Sequence, residues 1–119
     1  MAAVYLGEHK VLGSKVAIKV LHLSDVPNPA IERRFVNEAK AIAAIRHPGI
    51  VQLSDFGFQD GRAYIVMELL EGQTVSKATR EAPLTEDDFR SFAEQTMEGM
   101  VAAQAQNLQH RDLKPANIL

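Results

Sequence analysis

Polar and apolar residues alternate from Lys15 to Leu23, with β-branched Val16, Ile18 and Val20, which predicts a strand. Ala2 to His9 is short and apolar-rich, and Lys10 to Ser14 carries the turn former Gly13, so the two segments predict an antiparallel hairpin. Pro27-Asn28-Pro29 breaks this pattern, and Pro29 suits the first turn of a helix. Ile31, Phe35, Ile42 and Ile45 then recur at helical spacing. His47-Pro48-Gly49 ends that helix, because the residue before a proline avoids the α region. Ile50 to Phe58 and Ala63 to Leu70 predict two more strands, joined at Gln59-Asp60-Gly61-Arg62 with Gly61 in the left-handed position. A short helical region follows Glu71-Gly72. Thr85-Glu86-Asp87-Asp88 reads as an N-cap with acids in the first turn, which the helix dipole favours. Phe89, Phe92, Ala93, Met97, Met100 and Val101 form the apolar stripe of a helix that runs to about Gln106. Leu108 to Leu119 reads as a loop. The order β, β, α, β, β, short helix, α, loop predicts an α+β fold, an antiparallel sheet with one helix packed on it.

Composition narrows the class. A chain of 119 residues is one domain at most. Its 46% apolar and 24% charged residues exclude a disordered, collagenous or membrane-spanning chain. Lys plus Arg number 13 and Asp plus Glu 15, a net charge of -2 with no general pull toward nucleic acid or acidic membranes. Neither a nucleic-acid partner nor a membrane segment is expected. The absence of cysteine excludes disulfides and thiolate metal sites and is compatible with the cytoplasm, the location expected here. No basic stretch followed by an apolar one opens the chain, so no signal peptide is expected.

Two residues stand out for chemistry. Alternation puts Val16, Ile18 and Val20 on one strand face and Ala17, Lys19 and Leu21 on the other. A lysine there is ordinarily solvated. Ile31, Phe35, Glu38, Ile42 and Ile45 fall at i, i+4, i+7, i+11 and i+14, which places Glu38 inside the apolar stripe. An unpaired carboxylate there costs on the order of several kcal/mol. A buried ion pair without function fits this pattern, and so does a lysine held by a glutamate to meet an anionic ligand.

His110-Arg111-Asp112-Leu113-Lys114-Pro115-Ala116-Asn117 reads HRDLKPAN and resembles the catalytic loop of protein kinases, H-R-D-x-x-x-x-N. Val16-Ala17-Ile18-Lys19 reads VAIK, a strand motif of the same family. Either alone is a weak signal. Both in this order, with Glu38 between them, are specific. The resemblance covers essentially the whole chain. Lys114 resembles the serine/threonine branch, and MAAVYLGEH and YIVMELLEG resemble bacterial receptor-type Ser/Thr kinases. Small-molecule kinases of the same fold share an H-x-D…N loop, but Lys114 and the VAIK strand set them further away.

The resemblance implies a protein-kinase-like fold. Residues 1–70 would be the small lobe from its second strand, with an αC-like helix and the hinge. Residues 71–119 would be the first helices and catalytic loop of the large lobe. It implies ATP and Mg²⁺ as cofactors and a protein bearing Ser or Thr as substrate, with self-association of kinase chains as a further expectation. Lys19 would contact the α- and β-phosphates and Glu38 would orient it. Asp112 would accept the proton of the substrate hydroxyl, and Lys114 would stabilise the moving γ-phosphate. Asn117 would hold one Mg²⁺ through its side-chain oxygen. Val4 and Ala17 would cover one face of the adenine and Leu119 the other. Met67 would stand before the hinge, and the backbone of Glu68 and Leu70 would meet the adenine edge. Ile42, Leu53 and His110 would belong to the internal hydrophobic spine. Arg111 fits a surface arginine as well as the family's pairing with a phosphorylated activation loop. His9, His22 and His47 show no metal-ligand spacing and are expected to cap, pack or lie at the surface.

Departures from the family pattern shape one more expectation. Met1-Ala2-Ala3-Val4 aligns with the end of G-x-G-x-x-G-x-V, with Ala2 at the third glycine, which would weaken ATP binding. No Asp-Phe-Gly follows the HRD loop. Asp55-Phe56-Gly57 precedes it on a predicted strand and reads as coincidence. The expectation is a truncated Ser/Thr kinase domain, inactive as this chain alone, whose last helix exposes Phe92, Met97, Met100 and Val101. The rival reading is a non-catalytic kinase-like interaction module.

Overall fold

A computed structural model describes residues 2–22 and 28–119. Met1, Leu23 and Pro27, which the sequence reading includes, lie outside the described residues. The chain divides into two compact units, Met1–Arg46 with Val51–Leu69 and His47–Ile50 with Leu70–Leu119.

In the first unit, β1 (Ala2–Glu8), β2 (Lys15–Leu21), β3 (Leu53–Gln59) and β4 (Arg62–Glu68) form a four-stranded antiparallel sheet in the order β1-β2-β4-β3. Each hairpin closes by its own chemistry. His9 Nδ1 accepts the N–H groups of Val11 and Leu12 at 3.3 and 3.1 Å. Asp60 and Gly61 both take positive φ, 50° and 73°, as a tight primed turn requires. The strand expected from Ile50 begins only at Leu53. Its first residues are used by a turn, in which His47 Nδ1 accepts from Gly49 N–H at 3.0 Å and His47 O from Ile50 N–H at 3.0 Å.

The helix α1 (Pro29–Ala43) is capped by Asn28, whose Oδ1 accepts from the N–H groups of Ala30 and Ile31 at 3.0 and 3.4 Å. Phe35 inserts against β3, edge-to-face with Phe56 at 6.2 Å and Phe58 at 5.3 Å. Phe35, Ala39, Ile45, Leu53 and Ala63 are buried. The buried stripe corrects one expectation. It runs through Ile31, Phe35, Ala39 and Ile42, not through Glu38. Ala39 lies roughly 40° around the helix from Phe35, while Glu38 lies about 60° to the other side. The Glu38 side chain is accordingly 49% exposed. Phe35→Ala should cost about 3–5 kcal/mol, because the void it leaves sits between helix and sheet. Chemical denaturation checks this, with an unchanged midpoint contradicting the packing described.

In the second unit, α2 (Val75–Glu81) is capped by Thr74 and α3 (Glu86–Gln104) opens with a reciprocal capping box between Thr85 and Asp88. α3 ends two residues before the expected Gln106. Asn107 takes φ 57°, and the N–H groups of Asn107 and Leu108 return to Gln104 O and Ala103 O at 2.9 and 3.1 Å, a left-handed C-terminal stop. Gly99 is the buried position of α3. A Cβ there would come within 3.1 Å of Gly49 O, so the absent side chain lets the His47–Ile50 turn lie against the helix backbone. Of the α3 residues expected to be exposed, Met97 and Val101 are exposed while Phe92 and Met100 are half-buried. The tail expected as loop contains a 3-10 turn, Pro115–Asn117, tied to α2 by Val75 N–H donating to Ile118 O at 2.8 Å.

Candidate active site

In the first unit the strand register collects the expected nucleotide-side residues. Lys19 pairs with Val4 on one side and Ile65 on the other, and Ala17 pairs with Leu6 and Met67. Directly paired residues share a face. Val4, Ala17, Lys19 and Met67 therefore lie on one face, the same face on which Phe56 opposes Ile65 and receives α1. Lys19 is half-buried, its stem between two apolar neighbours, while Val4 is 64% exposed. Among the described residues no ion pair joins Lys19 to Glu38. Glu38 instead accepts from Arg34 Nε at 3.2 Å, one helical turn back. At the end of β4, Glu68 N–H donates to Gln52 O at 3.0 Å, so what Glu68 can offer an adenine is its carbonyl. Asp55-Phe56-Gly57 lies on β3, where Phe56 packs on Phe35 and Gly57 makes room for the Tyr64 ring.

In the second unit the HRDLKPAN segment folds back on itself. Asp112 N–H donates to His110 O at 2.8 Å and lies 3.3 Å from His110 Nδ1. This closure forces Arg111 to φ 62°, an uncommon conformation for a side-chain-bearing residue and one that costs about 1–3 kcal/mol. Strain of this kind, directly before a carboxylate, is a site signal that residue type does not announce. Asn117 Nδ2 donates to Asp112 O at 2.8 Å and to Asp112 Oδ2 at 3.2 Å. Both bonds use the amide nitrogen, so the ligand-capable Oδ1 takes no part in them. Lys114 Nζ meets Asp112 Oδ2 at 2.8 Å. Leu70 and Leu119 belong to this unit and are 41% and 58% exposed. Among the described residues no cluster of three or more His, Asp or Glu side chains could hold a metal ion.

The hydrogen bond from Lys114 holds the Asp112 carboxyl below its ordinary value of 3.8, with the Lys114 charge, Asn117 and His110 adding in the same direction and partial desolvation opposing them. The carboxylate is the acceptor-only form, the form a general base needs. What the pair contributes to stability is present above the unfolded-state value and is lost as pH falls through the lowered folded-state value. In Lys114→Met, the Asp112 titration followed by carboxyl-carbon NMR should move up toward 3.8. A midpoint that stays in place would show that Lys114 is not what holds it down.

Residues 1–119 match the protein kinase domain family along their whole length. The chain belongs to the protein kinase family. It is 42% identical over 118 residues to the serine/threonine-protein kinase Pkn1 of Myxococcus xanthus, covering 99% of this chain and 17% of that protein. It is 38% identical over 120 residues to PrkC of Bacillus subtilis, covering 100% of this chain and 18% of that protein. The chain thus spans under a fifth of the length of these two relatives. The crystal structure of the Mycobacterium tuberculosis PknI kinase domain, in a double mutant, superposes with a TM-score of 0.84 at 27% identity, covering 96% of this chain and 46% of that one. The kinase fold is α+β, with the four-stranded sheet and α1 matching a kinase small lobe. No helix of the described residues is long and apolar enough to cross a membrane.

Proposed function

We propose that the protein carrying this chain transfers the γ-phosphoryl group of ATP to Ser or Thr hydroxyls of proteins, in the cytoplasm. The observation that carries this reading is the loop in which Asp112, Lys114 and Asn117 meet within hydrogen-bond distance behind a strained Arg111. Phosphoryl transfer asks little covalent chemistry of a protein and much positioning and charge stabilisation. Asp112, an exposed carboxylate, accepts the proton of the attacking hydroxyl. Lys114 leaves Asp112 to stabilise the γ-phosphate as charge develops on it. Lys19, on the strand face it shares with Val4, Ala17 and Met67, meets the α- and β-phosphates, while Val4 and Ala17 cover the adenine and Met67 stands before the hinge. Glu38 orients Lys19 by exchanging its Arg34 contact.

Mg²⁺ suits the donor set. This cation keeps several waters and takes one or two protein oxygens together with phosphates, so a single amide Oδ1 from Asn117 is a fitting contribution. When bound, the cation would neutralise phosphate charge.

The test is to incubate the whole protein with γ-labelled ATP, Mg²⁺ and a mixed protein substrate, then map the label by mass spectrometry. Label on Ser and Thr is expected. Label on Tyr alone, or on small molecules alone, would overturn the substrate class. No label at all would favour the rival reading, a kinase-like interaction module.

A further inference from the structure

A helix leaves its first N–H groups without partners inside the helix. In α2 the first of them, Val75 N–H, donates to Ile118 O at 2.8 Å. Ile118 directly follows Asn117, so this bond ties α2 to the end of the HRDLKPAN segment. Asn117 is thereby held from three directions. Its own N–H donates to Lys114 O at 2.8 Å and closes the 3-10 turn. Its side-chain Nδ2 donates to Asp112 O and Oδ2 at 2.8 and 3.2 Å. The third hold, just beyond it in the chain, is the Val75–Ile118 bond, and of the three this one comes from outside the segment. Thr74 fixes the turn that carries Val75, with its Oγ1 and O both accepting from Lys77 N–H, at 3.3 and 2.9 Å.

We infer that the Val75 backbone N–H is a positioning group, fixing the chain just beyond Asn117 and so holding the Asn117 side chain on Asp112 with its Oδ1 left for Mg²⁺. This rests on the reading of Asn117 as a Mg²⁺ ligand and deepens it. The two other holds do not restrain the chain past Asn117. Both side-chain bonds go to one residue, Asp112, and the turn bond belongs to a 3-10 turn, whose hydrogen-bond geometry is the poorer kind. Ile118 is extended, at φ -115° and ψ 127°, and the donor from α2 is what registers it. Mg²⁺ demands near-ideal octahedral geometry, so the placement of a ligand oxygen bears directly on its affinity. Because the main chain carries the role, no residue type announces it.

Proline is the substitution that isolates this donor. It is favoured at the first helical position, where the N–H has no helical partner to lose. Thr74, at φ -67° and ψ 152°, already has the backbone that a residue before proline prefers. Val75→Pro therefore removes one hydrogen bond and leaves α2 standing, while Val75→Ala trims the side chain and keeps the N–H. In the whole protein, the Mg²⁺ concentration giving half-maximal transfer at saturating ATP should rise about three- to tenfold in Val75→Pro, the range of one neutral hydrogen bond. It should keep the wild-type value in Val75→Ala. With neither metal nor nucleotide present, the Asn117 side-chain amide signals in NMR should move toward those of a free asparagine in Val75→Pro only. A half-saturation point does not depend on the fraction of protein that is active, so partial misfolding leaves it in place. Asn117→Ala checks the reading beneath, and should raise the Mg²⁺ requirement at least as far. An unchanged requirement in Asn117→Ala overturns the metal reading, and this inference with it. A raised requirement in Asn117→Ala beside a wild-type requirement in Val75→Pro overturns the inference alone, whatever the amide signals do.

Discussion

Lys19→Met in the whole protein is expected to lower phosphotransfer by about 10²- to 10³-fold, the loss typical of removing a preorganised charge from a developing anion. The fold should survive. Methionine keeps the length of the stem, and the cross-strand neighbours Val4 and Ile65 are apolar, so the substitution leaves no buried polar partner behind. A thermal midpoint within a degree or two of wild type, beside lost transfer, separates a chemical role from a structural one. Retention of near-normal kcat would remove Lys19 from the site.

Asp112→Asn is expected to cut kcat by about 10²-fold or more, with the KM for ATP little changed. Asparagine preserves the shape and can still accept from Asn117 Nδ2, which now donates to Asp112 at 2.8 and 3.2 Å. It removes the charge that Lys114 meets at 2.8 Å and the basicity a substrate hydroxyl needs. Should the change fall chiefly on the KM for ATP, Asp112 would be a nucleotide-binding residue and not the base.

Much of this was legible in the sequence, for reasons that differ by residue. The Asp60-Gly61 turn and the Thr85 cap are local, and their residue types state the required geometry. The VAIK strand and the HRDLKPAN loop are readable as motifs because each holds its residues at a short, fixed spacing. Counting only large apolar residues puts Glu38 in the stripe, because it passes over Ala39, whose small side chain lets α1 approach the sheet. Asn28 reads as part of a breaker in the sequence and is an N-cap, a role that depends on where the helix starts. Gly99 reads as a weakness in a helix until Gly49 O is found beside it. The positive φ of Arg111 belongs to a backbone closure and not to a residue preference. The Gln52–Glu68 bond joins a backbone group to a side chain 16 residues away, a pairing that only the register discloses.

The central claim is that Asp112 sits in a loop that does chemistry. The most direct measurement is the single-turnover transfer rate from saturating ATP in the wild type and in Asp112→Asn, with nucleotide binding titrated on the same samples. The account predicts comparable nucleotide affinity in the two proteins and transfer slowed by about 10²-fold or more in the variant. Transfer at the wild-type rate in Asp112→Asn, with nucleotide bound, would contradict it.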